Sequence, residues 1–117
     1  MISVHRPPPT TPSPQRIHII GVCGSATSGL AQILRSRGAS VSGSDLSPDP
    51  AGTLHAAGIP VVVGHRRENL AEHLDCVVHS AAIPESNPEL VESRRRGVET
   101  LKYAKFLGRL GDRKSVV

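Results

Sequence analysis

The chain has 117 residues, with 14 Lys+Arg against 10 Asp+Glu, 11 Gly, 10 Pro, 2 Cys and no Trp. That length fits one domain of ordinary size and excludes a conventional multidomain enzyme within this polypeptide. The net charge of +4 is a C-terminal feature: residues 94–117 hold 8 of the basic residues and 2 of the acidic ones, whereas residues 1–93 carry a net −2.

Residues 1–15 read as a disordered Pro-rich leader, because five prolines between Pro7 and Pro14 suit neither a helix nor a sheet interior. The leader has no apolar stretch, so it is not a secretory signal. From Arg16 the pattern changes. Ile17-His18-Ile19-Ile20-Gly21-Val22 is a short apolar run broken by glycine, as a buried parallel strand should be. Residues 28–37 predict a helix with Leu30, Ile33 and Leu34 on one face and Gly38 as its stop. Ser40–Asp45 is a second strand, 51–57 a short helix, and Pro60–Gly64 a third strand. Glu68–Leu74 is expected as a short helix and Asp75–Ser80 as a fourth strand. Asn87–Arg96 is a helix with Pro88 in its first turn and Gly97 after its end. Val98–Leu101 is a fifth strand, and Lys102–Leu110 a last helix with Tyr103, Phe106, Leu107 and Leu110 on one face. Strand and helix alternate five times over short connections. That rhythm specifies βαβ units and a parallel sheet with helices on both faces.

Several chemistries are excluded by what the chain lacks. No apolar run approaches the ~20 residues of a transmembrane helix, so a membrane is not an expected partner. The confined basic charge and the single Phe and Tyr argue against nucleic acid. The six histidines are scattered, with no metal-ligand spacing, so no metal site is expected. There is no nucleophile elbow and no Walker-type phosphate loop. Cys23 and Cys76 are expected as reduced thiols of a cytoplasmic protein. They should lie at opposite ends of parallel strands, roughly 13 Å apart at about 3.3 Å per residue, beyond disulfide reach.

In an open parallel sheet, ligands bind beyond the carboxyl ends of the strands. After the first strand, Gly21-Val22-Cys23-Gly24-Ser25-Ala26-Thr27-Ser28-Gly29 is a small-residue turn opening onto a helix N-terminus, a place for a phosphate. It departs from the G-x-G-x-x-G fingerprint at Cys23 and Ala26. After the second strand, Asp45 stands where an acid accepts hydrogen bonds from a ribose, with a turn role beside Ser47 and Pro48 as the alternative. His65 follows the third strand, as a base contact or an ordinary surface histidine. Ser80-Ala81-Ala82-Ile83 follows the fourth, as room for a ligand or a close-packed loop. Arg94-Arg95-Arg96 reads as a solvated helix end. A stand-alone NAD-binding module and a ligand-free interaction domain both remain open at this point.

Taken in register, these segments resemble the Mur ligase family. The resemblance rests on Ile17–Gly21, Ser28-Gly29-Leu30-Ala31, Val41–Asp45, Gly64-His65, Ser80–Ile83 and Asn87-Pro88-Glu89, and spans about residues 16–110. It implies a Rossmann-like first domain that binds the UDP part of UDP-N-acetylmuramate, within cell-wall peptidoglycan biosynthesis. By position, Gly24, Ser25, Ala26, Thr27, Ser28 and Gly29 would hold the diphosphate. Ser44 and Asp45 would lie near the ribose and uracil, and His65, Ser80, Ala81, Ala82 and Ile83 would line the rest. The closer likeness is to the members that add L-alanine, while Cys23 resembles those that add a recycled peptide. In such ligases ATP and Mg²⁺ act in a central domain, and a third domain brings the amine. Residues 111–117 are expected as a linker and the opening strand of that central domain. The resemblance thus implies a fragment that binds no cofactor itself and catalyses nothing alone.

Overall fold

The computed structural model describes residues 15–48 and 52–116, with side chains given as far as residue 109. The expected leader falls outside this range except for Gln15. Among the described residues, five strands and four α-helices follow in the order β1 (Arg16–Ile20), α1 (Ser25–Ser36), β2 (Ser40–Asp45), α2 (Thr53–Ala56), β3 (Val61–Val63), β4 (Cys76–His79), α3 (Pro88–Arg95), β5 (Glu99–Lys102) and α4 (Tyr103–Val116). All strand pairs are parallel, and the sheet order is β3-β2-β1-β4-β5.

The order follows from the chain. β1 is central, pairing Ile17 with Val41 on one side and with Cys76 on the other. The first two crossovers step away from β1 in one direction and the later ones step away in the other. With right-handed crossovers, that reversal puts α1 and α2 on one face and α3 on the opposite one. Strand alternation then divides β1 between two layers. Ile17 and Ile19 join Leu30, Ala31 and Leu34 of α1, Leu54 of α2 and Phe106 of α4 in the larger core. Ile20 turns the other way, joining Val77 of β4 and Leu90 of α3. His18 shares that second face and is equally buried.

Two close approaches fix how β1 leaves the sheet. Gly21 has φ +83°, a backbone conformation that a side chain would strain, and its amide donates to the Ser44 carbonyl at 2.8 Å. Gly43 sits under Val22: a Cβ on Gly43 would lie 2.5 Å from the Val22 Cβ. Both glycines let the loop after β1 fold back across β2.

Four expectations need correction. Ile33 of α1 is about half exposed, and the buried stripe is Thr27, Leu30, Ala31 and Leu34. At 3.6 residues per turn, Ile33 lies about 100° around the helix from the centre of that stripe. The segment expected as a helix over Glu68–Leu74 makes only a 3-10 turn, Arg67–Asn69. Its Asn69 amide is drawn into bonds with the Gly64 carbonyl and Glu89, which tightens the turn where a helix would have to propagate. The last helix does not stop at Leu110 but continues to Val116, over residues expected as linker and strand. Among the described residues no strand stands beyond β5 at that edge to pair with them. Leu107 of that helix is 40% exposed while Phe106 is buried, so the apolar face is narrower than expected.

Candidate functional site

The carboxyl ends of β1 and β4, on either side of the reversal in strand order, open into a pocket of about 960 Å³. The start of α1 forms one wall. Gly24 caps the helix in an extended conformation and offers no side-chain cap to the first-turn amides, and no acid stands in that turn. The amides of Ser25, Ala26 and Thr27 are the orphan donors of a helix N-terminus, and all three residues line the pocket. Together with the helix dipole they suit a phosphate. Thr27 is itself buried. Its hydroxyl donates to the Gly21 carbonyl at 2.6 Å, locking the loop to the helix it opens.

Asp45 ends β2 at the facing wall. One carboxylate oxygen accepts the Cys23 amide at 2.9 Å and the other accepts the Ser47 amide at 3.1 Å. The turn role is therefore filled: Asp45 holds the β1–α1 loop against β2. It fills that role while bordering the pocket, so its charge stands beside any ligand. Ser80, Ala81, Ala82 and Ile83 follow β4 and line the same space, joined by Leu46, Pro84 and Tyr103.

His65 is no ordinary surface histidine. Its side chain is 11% exposed, and Nδ1 lies 3.0 Å from the Ser44 hydroxyl. Of the expected binding residues, Gly24, Ser25, Ala26, Thr27, Asp45, His65 and Ser80–Ile83 all meet at the pocket wall. Ser28, Gly29 and Ser44 are not part of that wall. Ser28 and Gly29 are already inside α1, where the Ser28 hydroxyl bonds the Ser25 carbonyl. Ser44 is fully buried, because β2 turns it away from the loop that Asp45 supports.

Behind the wall lies a group that the sequence reading did not assign to the site. Glu89, in the first turn of α3, is completely buried. Its carboxylate accepts from His18 Nε2, Ser44 Oγ and Asn69 Nδ2, each at 2.7 Å, and from the Arg66 amide at 3.1 Å. Burial pushes the carboxyl up, but the bonds from His18, Ser44 and Asn69 outweigh it and bring it down to about 2. Asn87 caps the same helix, accepting the Glu89 and Leu90 amides at 2.9 and 3.3 Å. The signal for this cluster was His18 itself: a polar side chain inside an apolar strand requires a buried partner.

Elsewhere the polar groups are structural. Arg95 and Arg96 both bond Glu92, and Arg94 pairs with Glu85, so the arginine run is tied to its own helix and the loop before it. Cys23 and Cys76 form no disulfide. Cys76 pairs in register with Ile17 at the start of β1, while Cys23 lies past the end of that strand. Burial pushes the Cys76 thiol up to about 11, which makes it unreactive. Among the described residues no helix is long and apolar enough to cross a membrane.

An uncapped helix end, a carboxylate and an imidazole stand around one cleft of a Rossmann-like domain. A family model described as Mur ligase family, catalytic domain, matches residues 16–115, and the chain belongs to that family. A UDP-N-acetylmuramate–L-alanine ligase of Clostridium beijerinckii is 42% identical over 97 residues, covering 82% of this chain and 21% of the relative. Among solved structures, the UDP-N-acetylmuramate-alanine ligase of Thermotoga maritima superposes with a TM-score of 0.78 at 28% identity, over 84% of this chain and 23% of that one. The UDP-N-acetylmuramate:L-alanyl-γ-D-glutamyl-meso-diaminopimelate ligase of Neisseria meningitides gives 0.67 at 31% identity, over 76% and 28%. The chain thus spans about a fifth of the length of the curated relatives it matches.

Proposed function

We propose that this chain is the UDP-binding first domain of an ATP-dependent ligase that joins L-alanine to UDP-N-acetylmuramate, a cytoplasmic step of peptidoglycan biosynthesis. The observation that carries the reading is the open N-terminus of α1, with Gly24–Thr27 at the wall of the cleft that Asp45, His65 and Ser80–Ile83 complete. The diphosphate sits on the free amides of Ser25, Ala26 and Thr27, with Ser28 and Gly29 extending the helix behind them. The ribose and uracil lie toward Asp45 and His65, and Ser44 acts from behind His65. The alanine-adding assignment over the peptide-adding one is supported by the larger coverage and TM-score of the Thermotoga structure and by the Clostridium relative.

The chemistry then belongs to the rest of the longer protein. ATP and Mg²⁺ would serve a central domain there: ATP would phosphorylate the muramoyl carboxylate, and the amine of L-alanine would then displace the phosphate. This domain contributes the nucleotide handle: binding energy from a remote part of the substrate, which positions the reacting carboxylate. Alone it hydrolyses no ATP, and phosphate release above a buffer blank would contradict that.

Calorimetric titration of the chain with UDP-N-acetylmuramate tests the reading. Saturable heat with one site is expected. Asp45→Ala is expected to weaken binding about tenfold, or about 1.4 kcal/mol, because the carboxylate both orders the Cys23 loop and faces the ligand. No heat with the wild-type chain would overturn the function, and unchanged affinity in Asp45→Ala would overturn the role of Asp45.

A further inference from the structure

We infer that Glu89, acting through Ser44, fixes the His65 ring in the tautomer with its hydrogen on Nδ1, so that Nε2 meets the ligand as a bare hydrogen-bond acceptor. Glu89 and Ser44 are then positioning residues, and this inference rests on the uridine-nucleotide reading for the identity of that ligand.

An ionised carboxylate only accepts, so every group on Glu89 must donate to it. The Ser44 hydroxyl has a single hydrogen, and it goes to Glu89 Oε1 at 2.7 Å, a charge-assisted bond. Ser44 Oγ is left with lone pairs only. The 3.0 Å contact between Ser44 Oγ and His65 Nδ1 therefore requires the hydrogen to be on Nδ1. Glu89 Oε2 lies 3.6 Å from the same nitrogen and favours a hydrogen there as well. A neutral imidazole carries one N–H, so Nε2 is bare.

The consequence falls on the pocket. Among the described residues the polar contacts of the His65 ring fall on Nδ1, and His65 lines the cleft. A bare nitrogen there accepts an N–H or O–H and repels a phosphate or carboxylate oxygen. The uridine imide N–H and the ribose hydroxyls are such donors, and the phosphates are not. The buried cluster thus sorts the two ends of the nucleotide: the anion goes to α1, and the donor-bearing end goes to His65.

The test is nitrogen-resolved NMR of the histidine rings in the ligand-free chain, at a pH where the ring is neutral. The expected result is a His65 ring protonated at Nδ1, changing toward Nε2-protonated in Ser44→Ala. A wild-type ring protonated at Nε2 would overturn the inference, as would a folded Ser44→Ala with an unchanged ring. Should Ser44→Ala fail to fold, the wild-type tautomer decides alone. Ser44→Ala is also expected to weaken UDP binding about fivefold, the worth of one hydrogen bond. UDP that leaves an Nδ1-protonated His65 undisturbed would count against the uridine reading while leaving the relay intact.

Discussion

Glu89 is a charge sealed within the domain and held by four donors. Removing it with Glu89→Ala strands those donors, and the expected cost is about 3–5 kcal/mol in denaturant unfolding. Its pH signature has a definite sign. The carboxyl is at about 2 in the fold against an ordinary 4.5. A depressed value contributes stability that is fully present above 4.5 and is lost as the pH falls toward 2. The unfolding midpoint is therefore expected to drop between pH 4.5 and 2, and Glu89→Gln, less stable at neutral pH, is expected to lose less across that window. An equal loss in both proteins would show that the carboxylate is not held as described. Of these residues the sequence displayed the wall but not its support. Asp45 and His65 were legible because they follow strands in a parallel sheet. Glu89 was not, because one acid in a first helical turn is the ordinary partner of a helix dipole, and only the folded sheet brings His18 and Ser44 to it.

At the scale of elements, the sharpest constraint is the seat of Val22 on β2. Gly43→Ala places a methyl 2.5 Å from the Val22 Cβ, and the expected loss is about 1–3 kcal/mol. Val22→Ala in the same chain leaves the Cβ but removes the two γ-methyls that the new methyl would meet at 2.6 and 2.8 Å, and should recover part of it. A non-additive double-mutant cycle in urea is the measurement, and strict additivity would place the two residues apart. The start of α3 gives a second case. Asn87→Ala removes the acceptor for two amides, with an expected loss of about 1–2 kcal/mol. Element type was readable along most of the chain because its signals are local: apolar runs closed by glycine for β1 and β3, and Asn87-Pro88 for the start of α3. The failures came where tertiary contacts decide. Leu30 and Leu34 face the sheet, but Ile33 shows that a three-residue match does not settle which side of a helix is buried. Arg67–Asn69 stays a single turn because Asn69 is bonded elsewhere.

Over the whole molecule, one topological fact makes the cleft. β1 has β2 on one side and β4 on the other, and the chain departs from the sheet in opposite directions there. The loops after these strands diverge, and the pocket occupies the gap. The alternation of elements announced the parallel sheet, and parallel sheets open a crevice at this reversal, so the location of the cleft was legible before any side chain was placed. What would occupy it was not, since the degenerate glycine loop suits more than one phosphorylated ligand. The choice between them is measurable as protection against heat. A ligand at 100 times its Kd raises stability by about 2.7 kcal/mol. The decisive measurement is the melting temperature of this chain with UDP and with NADH at equal concentrations. A rise with UDP that saturates, and little or none with NADH, is expected. A rise with NADH alone, or with neither nucleotide, would contradict it.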